Sequence, residues 1–115
     1  MSDLLNSLTT ELRRGTLTLA VLSQLHEPQY GYSLVQLLEK SGIVIDQSTL
    51  YPLLRRLEKQ ELLSSIWDTT ESRPRKYYVL SDYGKEVFET LKMEWVKTSH
   101  ELHLLLEGEI QNGTD

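Results

Sequence analysis

Between Ser48 and Lys59 the apolar positions Leu50, Leu53, Leu54 and Leu57 recur at i, i+3, i+4 and i+7. Ser48, Pro52, Arg55 and Lys59 fall on the opposite side, flanked by Tyr51 and Arg56. This period predicts a short amphipathic helix with one buried stripe and a polar, cationic back. Asp46 and Ser48 both suit its N-cap, and Pro52 is tolerated because it falls in the first turn. Upstream, Arg14 to Leu25 is apolar on more than one side, through Leu17, Leu19, Ala20, Val21, Leu22 and Leu25. That predicts a central helix, ended at His26-Glu27-Pro28-Gln29 because proline cannot continue it. Tyr32 to Ser41 predicts a second helix with Leu34, Val35, Leu37 and Leu38 inward and Gly42 closing it. Ile43-Val44-Ile45 reads as one brief strand. Met1 to Thr10 carries few strong signals, and a short amphipathic helix fits it.

Downstream the period changes from helical to alternating. Leu62 to Trp67 and Lys76 to Leu80 are rich in aromatic and branched residues and predict two strands. The polar link Asp68-Thr69-Thr70-Glu71-Ser72-Arg73-Pro74 is the tip of their hairpin. Ser81 suits an N-cap, and a helix is expected to run to about Glu107, a length of about 40 Å. Within it Phe88, Leu91, Trp95, Thr98, Leu102 and Leu105 alternate at spacings of three and four, a heptad seam. Gly108 ends it, and Glu109 to Asp115 reads as a frayed acidic tail. The expected fold class is mainly α with a small β-hairpin: a winged helix-turn-helix over residues 1–80, a C-terminal dimerisation helix over 81–107, and a disordered tail over 108–115.

The chain has 115 residues, enough for one domain with a modest core. It has no cysteine, which excludes disulfides and thiolate metal sites. No apolar run approaches the roughly 18–20 residues of a membrane span, and Met1 to Glu11 lacks the regions of a signal peptide. The expected location is the cytoplasm, with no membrane partner. A net charge of −5 argues against nucleic acid until its distribution is considered. Residues 47–76 carry six basic side chains (Arg55, Arg56, Lys59, Arg73, Arg75, Lys76) against four acidic ones, whereas residues 77–115 carry three against eight. Phosphate attraction acts over only about 8–10 Å at moderate salt. A basic head on an acidic chain can therefore still bind DNA.

The chemistry-bearing residues gather in that head. Arg55 and Lys59 can reach phosphates or guanine edges, and Ser48, Thr49 and Tyr51 can donate to phosphates near the helix start. Arg73, Arg75 and Lys76 sit on the basic hairpin. Tyr77 and Tyr78 alternate across a strand, so one is expected to pack inward, and Trp67 is expected to pack. His100 and His103 stand at i and i+3 without a third ligand, so no metal site is expected. No phosphate loop, nucleophile–base pair or convergent carboxylate pair appears, so neither an enzyme nor a cofactor is expected.

The chain resembles the PadR family of bacterial transcriptional regulators. The resemblance lies in Arg14-Gly15-Thr16-Leu17, Tyr30-Gly31-Tyr32-Ser33-Leu34, Ser48 to Glu58, Arg73-Pro74-Arg75-Lys76-Tyr77-Tyr78 and Leu80-Ser81-Asp82-Tyr83-Gly84. It covers roughly residues 12–107. It implies a winged-helix head on double-stranded DNA, a homodimer joined through the last helix by Phe88, Leu91, Trp95, Leu102 and Leu105, and repression of nearby genes. One compact subgroup includes drug-responsive repressors. Likeness to it leaves two readings of Trp95: a hydrophobic dimer core, or a plate for a planar apolar or cationic effector, with Ala20 and Ser23 as the other wall. Gln60-Glu61 departs from the family's glycine-containing turn after the recognition helix. The rival expectation is a winged-helix module that binds a protein partner without reading DNA sequence.

Overall fold

The computed structural model describes residues 2–108. In chain order its elements are α1 (Ser2–Ser23), β1 (Gln29–Tyr30), α2 (Gly31–Lys40), α3 (Gln47–Lys59), β2 (Leu63–Asp68), β3 (Arg75–Leu80) and α4 (Asp82–Glu107). The expected tail at residues 109–115 lies outside the described residues.

The leucine stripe of α3 is buried as its period requires: Leu50, Leu53, Leu54 and Leu57 are all within the core. They meet Val21, Leu22 and Leu25 from α1 and its exit, Leu34 and Leu38 from α2, and Leu62, Leu63, Tyr78, Leu80 and Phe88. Each fully buried leucine contributes about 1.5–3 kcal/mol. Asp46 caps α3 by accepting from the Thr49 N–H at 2.9 Å. Ser48 does not take the cap role; it donates its own hydroxyl to Asp46 at 2.6 Å. Ser81 caps α4 as expected, accepting from the Gly84 N–H.

Three expectations change. The N-terminal segment and the central helix are one 22-residue helix. Leu4, Leu5, Leu8 and Leu12 continue one apolar face through it, and the Thr10 and Thr16 hydroxyls are absorbed by the Asn6 and Arg13 carbonyls. Ile43–Ile45 forms no strand. The Ile43 N–H instead turns back to the Leu38 carbonyl at 2.9 Å, closing α2 with Gly42 in the left-handed region at φ 89. The hairpin gains a third strand from Gln29–Tyr30, giving an antiparallel sheet of order β1-β3-β2, with Gln29 opposite Tyr78 and Tyr30 opposite Tyr77. A two-residue strand after a proline carries too little pattern to be read in sequence.

Main-chain hydrogen bonds tie the hairpin into the helices. The Leu80 N–H donates to the Leu25 carbonyl at 2.8 Å, and the Ser81 N–H donates to the Leu62 carbonyl at 3.0 Å. Gly84 starts α4 so close to the Leu62 carbonyl that a side chain there has no room.

The turn after α3 makes the same closure as that after α2, with Leu62 N–H to Leu57 carbonyl and Glu61 N–H to Glu58 carbonyl. Glu61 occupies the left-handed position at φ 66, where a Cβ costs about 1–2 kcal/mol. Glycine there loses part of that gain to chain entropy. Glu61→Gly is therefore expected to stabilise the fold by about 0.5–1 kcal/mol in urea unfolding. Unchanged or lowered stability contradicts this account of the turn.

Candidate nucleic-acid interface

A groove of about 770 Å³ runs between α3, the start of α2 and the β2–β3 wing. Tyr51 and Arg55 line it from α3, Tyr30, Gly31 and Tyr32 from the start of α2, and Trp67, Arg73, Arg75, Lys76 and Tyr78 from the wing. Of the residues expected to touch DNA, Tyr51, Arg55, Arg73, Arg75 and Lys76 therefore share one cleft. Ser48 and Thr49 are exposed at the first turn of α3, and Lys59 is exposed in its last. The Ser48 proton is already committed to Asp46, leaving that hydroxyl an acceptor.

The α2–α3 approach depends on the absence of a side chain at Gly31. A Cβ there meets the Tyr51 ring, lying 2.7 Å from its Cζ. The glycine thus leaves the Tyr51 ring room to pack against the start of α2.

The wing is fastened to α3 by Glu58. Its carboxylate pairs with the Lys76 ammonium at 3.1 Å and accepts a hydrogen bond from the Ser65 hydroxyl. The Ser65 bond, joined by Lys76, holds the carboxyl below its ordinary value of 4.5 against an upward push from burial. Burial pushes Lys76 down, but its bond to Glu58 and the neighbouring Tyr78 outweigh this and hold it above its ordinary value. The ammonium also lies 5.0 Å from the Tyr78 ring centre and 5.9 Å from that of Trp67. Lys76 is thus a structural tie as much as a surface cation. Arg55 and Arg73, by contrast, make no ion pair among the described residues.

Sequence reasoning placed Tyr78 or Tyr77 inward, and it is Tyr78, 4% exposed. Trp67, expected to pack, is 60% exposed, with the Lys76 ammonium lying over its ring. Glu58 was missed, although Tyr51, Arg55 and Glu58 lie on one helical face at i, i+4 and i+7. The pairing of Tyr30 with Tyr77 was missed as well: their rings stack with centres 3.9 Å apart, and the two hydroxyls are hydrogen-bonded. That bond, first, raises the Tyr77 pKa to about 12.

The second set of expected residues lies away from the groove. Leu91, Trp95, Leu102 and Leu105 are at least partly exposed along α4. Phe88, expected as the first seam residue, belongs instead to the core of the single chain, edge-on to His26 at 5.2 Å. The first turns of α4 pack on α1 and the sheet, which covers this position. Ala20 is half-buried, and Ser23 turns its hydroxyl back to the Ala20 carbonyl at 2.6 Å. Among the described residues no group of His, Asp and Glu is arranged to hold a metal ion, and no helix is long and apolar enough to cross a membrane.

The Glu58 tie has a pH signature. The folded carboxyl binds protons less readily than the unfolded one, so its stabilisation is fully present above about pH 4.5 and is lost as pH falls through the lower, folded value. Glu58→Gln is expected to reduce stability at neutral pH and to flatten the acid limb of a urea-melt series. An acid limb identical to that of the wild type removes Glu58 from this role.

The comparisons agree with this geometry. The sequence model of the transcriptional regulator PadR-like family matches residues 18–90. A crystal structure of a PadR family transcriptional regulator from Eggerthella lenta is 50% identical, covers 92% of this chain and 95% of its own, and superposes with a TM-score of 0.84. A PadR-like transcriptional regulator from Bacillus cereus is 30% identical over 85% of this chain and 98% of its own, with a TM-score of 0.73. An uncharacterised protein of Lysinibacillus sphaericus is 30% identical over 104 residues, 86% of this chain and 95% of that protein. With the three-stranded winged helix-turn-helix and its basic groove, these matches place the chain in the PadR-like family of transcriptional regulators.

Proposed function

We propose that this regulator is a homodimeric repressor that reads operator DNA with the groove between α3 and the wing, and that a flat effector in its α4 seam releases it. The observation that carries the DNA assignment is the convergence of Arg55, Arg73, Arg75 and Lys76 on one cleft of an otherwise acidic chain. Guanidinium groups are suited to phosphate oxygens and to the O6/N7 edge of guanine. The exposed back of α3 supplies the base-reading face, with Ser48, Thr49, Tyr51, Arg55 and Lys59, and the wing grips flanking backbone. Bound across a promoter, such a dimer occludes it.

Dimerisation is supported by what the single chain leaves uncovered. Its radius of gyration is 17.6 Å, against about 13 Å for a compact chain of this length. Two long helices account for the excess. The apolar face Leu4, Leu5, Leu8 and Leu12 of α1, and Leu91, Trp95, Leu102 and Leu105 of α4, are at least 38% exposed. A heptad-spaced face on a 26-residue helix suits a second copy of itself. Residues 1–80 then act as the reading head and 81–107 as the dimerisation helix, with the start of α1 joining the seam. Trp95, 49% exposed near the middle of α4, is the flat surface for an effector, with Ala20 and Ser23 as the facing wall. Glu94 and Glu101 beside it favour a cation.

Selection of bound duplexes from a random pool is expected to return a pseudo-palindrome with half-sites about 10 base pairs, or a multiple, apart. On that site Arg55→Ala is expected to cost about 1–3 kcal/mol and relax preference at one position, whereas Arg73→Ala weakens all sequences alike. Binding by both variants equal to the wild type sinks this reading head.

Leu102→Glu sets two charges against an apolar seam, an unpaired burial costing several kcal/mol. Sedimentation is expected to show a monomer that no longer holds the operator. In a Trp67→Phe background a planar cationic dye is expected to quench Trp95 in the dimer and not in the Leu102→Glu chain. A wild type that sediments as a monomer at micromolar concentration ends the seam assignment, and a dimer whose Trp95 no flat cation quenches ends the effector assignment.

A further inference from the structure

A second cleft, of about 530 Å³, lies between α1 and the loop that joins α2 to α3, away from the wing. On α1 its wall is Thr10, Arg13, Arg14 and Leu17, spaced at i, i+3, i+4 and i+7 and so on one face. Leu4, Leu5, Leu8 and Leu12 lie about half a turn around the helix from that face. A second copy seated on the leucines therefore leaves the cleft open. The loop supplies Ile43, Val44 and Ile45. We propose that this cleft is a binding site for an aliphatic monocarboxylate, its chain lying on Leu17, Ile43 and Val44 and its carboxylate between Arg13 and Arg14.

Charge selects the head group. Arg13 and Arg14 make no ion pair among the described residues. Adjacent residues diverge by about 100° around a helix, so the two side chains leave α1 on either side of the line from Thr10 to Leu17. The Thr10 and Thr16 hydroxyls are spent on the Asn6 and Arg13 carbonyls of their own helix. One carboxylate, Asp46, does line the cleft. It accepts from the Ser48 hydroxyl and the Thr49 N–H, both at Oδ1, and these bonds hold its carboxyl below its ordinary value. Asp46 is therefore tied to the first turn of α3 and charged at neutral pH. Two guanidiniums against one carboxylate leave a single positive charge, which admits a monoanion and opposes a dianion. A carboxylate suits the forked donors of a guanidinium. The walls select the body. Val44 is 83% exposed, beside the partly buried Leu17 and Ile43 and the buried Ile45. A chain lying along them removes this apolar surface from water. The groove beside the wing is rich in rings, whereas no aromatic residue lines this cleft among the described residues. Branched aliphatic walls suit a flexible chain better than a plate.

The test follows the isoleucine δ1-methyl resonances of the full-length protein during titration with octanoate, kept below its micelle concentration. Ile43 and Ile45 report from the cleft, and Ile66, on the wing strand β2, is the internal reference. Octanoate is expected to shift the first two and leave the third in place. Octylammonium, with the same chain and the opposite charge, is expected to shift none of them. Arg13→Gln and Arg14→Gln keep helix propensity and remove the charge, and each is expected to weaken binding on the order of tenfold. Val44→Glu, at an exposed loop position, is expected to abolish the shifts while the circular dichroism stays that of the wild type. No shift at Ile43 and Ile45 in the wild type, equal shifts with octylammonium, or wild-type affinity in the chain carrying both arginine substitutions overturns the site. Weaker duplex binding by Arg13→Gln, in a protein that octanoate does not shift, gives these cations to the DNA backbone and equally overturns it. The methyl measurements need no DNA, so their result is separate from that of the DNA-binding reading.

Discussion

Burial of the α3 leucine stripe is the constraint from which the rest of the molecule follows. Leu50, Leu53, Leu54 and Leu57 take every apolar position of that helix inward. The outward face is then left to Ser48, Tyr51, Arg55 and Lys59 with no freedom to rotate. A helix turned by a third of a revolution buries Arg55 without a partner, at a cost of several kcal/mol, and exposes leucine. The rotational setting of α3 is thus enforced by hydrophobic packing, and no contact on its outward face is needed to fix it.

Packing alone does not set the wing. A two-stranded hairpin is marginal by itself in water, and here polar and aromatic contacts hold it to its neighbours. Glu58 reaches from α3 to Ser65 and Lys76, while Tyr30 reaches from the start of α2 to Tyr77. These contacts lie on opposite sides of β3, so the strand is braced from both. The brace through Glu58 consumes one cation of the basic cluster. The groove therefore has fewer free charges than a count of lysines and arginines suggests.

Most of the fold was legible because long periodic segments state their own burial. The α3 stripe, the Ser81 cap, the extent of α4 to Glu107 and the Gly42 stop all depend on residues near in sequence. The misses share a different physics. β1 exists because Tyr78 and Tyr77 offer an edge to Gln29 and Tyr30, some fifty residues away, and nothing local in those two residues says so. Continuity of α1 was obscured by Asn6, Ser7, Thr9, Thr10 and Gly15, each a poor helix former. Phe88 fits the heptad register equally well as seam or core, and only the packing of α4 on α1 decides for core. Within the candidate site, the basic residues were visible as charge, but their division into braced and free ones required the positions of Glu58 and Tyr30.

Helix α4 leaves the domain from a narrow root. Its first turn is pinned by the Ser81 cap, by the Ser81–Leu62 main-chain bond and by Gly84 pressed on the Leu62 carbonyl, and its packing against the core runs out soon after Phe88. A rod of 26 residues is about 39 Å long, so a tilt of about 5° at the root moves its far end by about 3 Å. The relation also runs backwards. If the far ends of two such rods are joined, a displacement of a few ångströms between them must appear as rotation at the root. The root follows directly on Leu80, the last residue of β3, and the Ser81–Leu62 bond joins it to the residue before β2. Joined in that way, the rods act as levers: a displacement at their far ends reaches the strands as a change of angle.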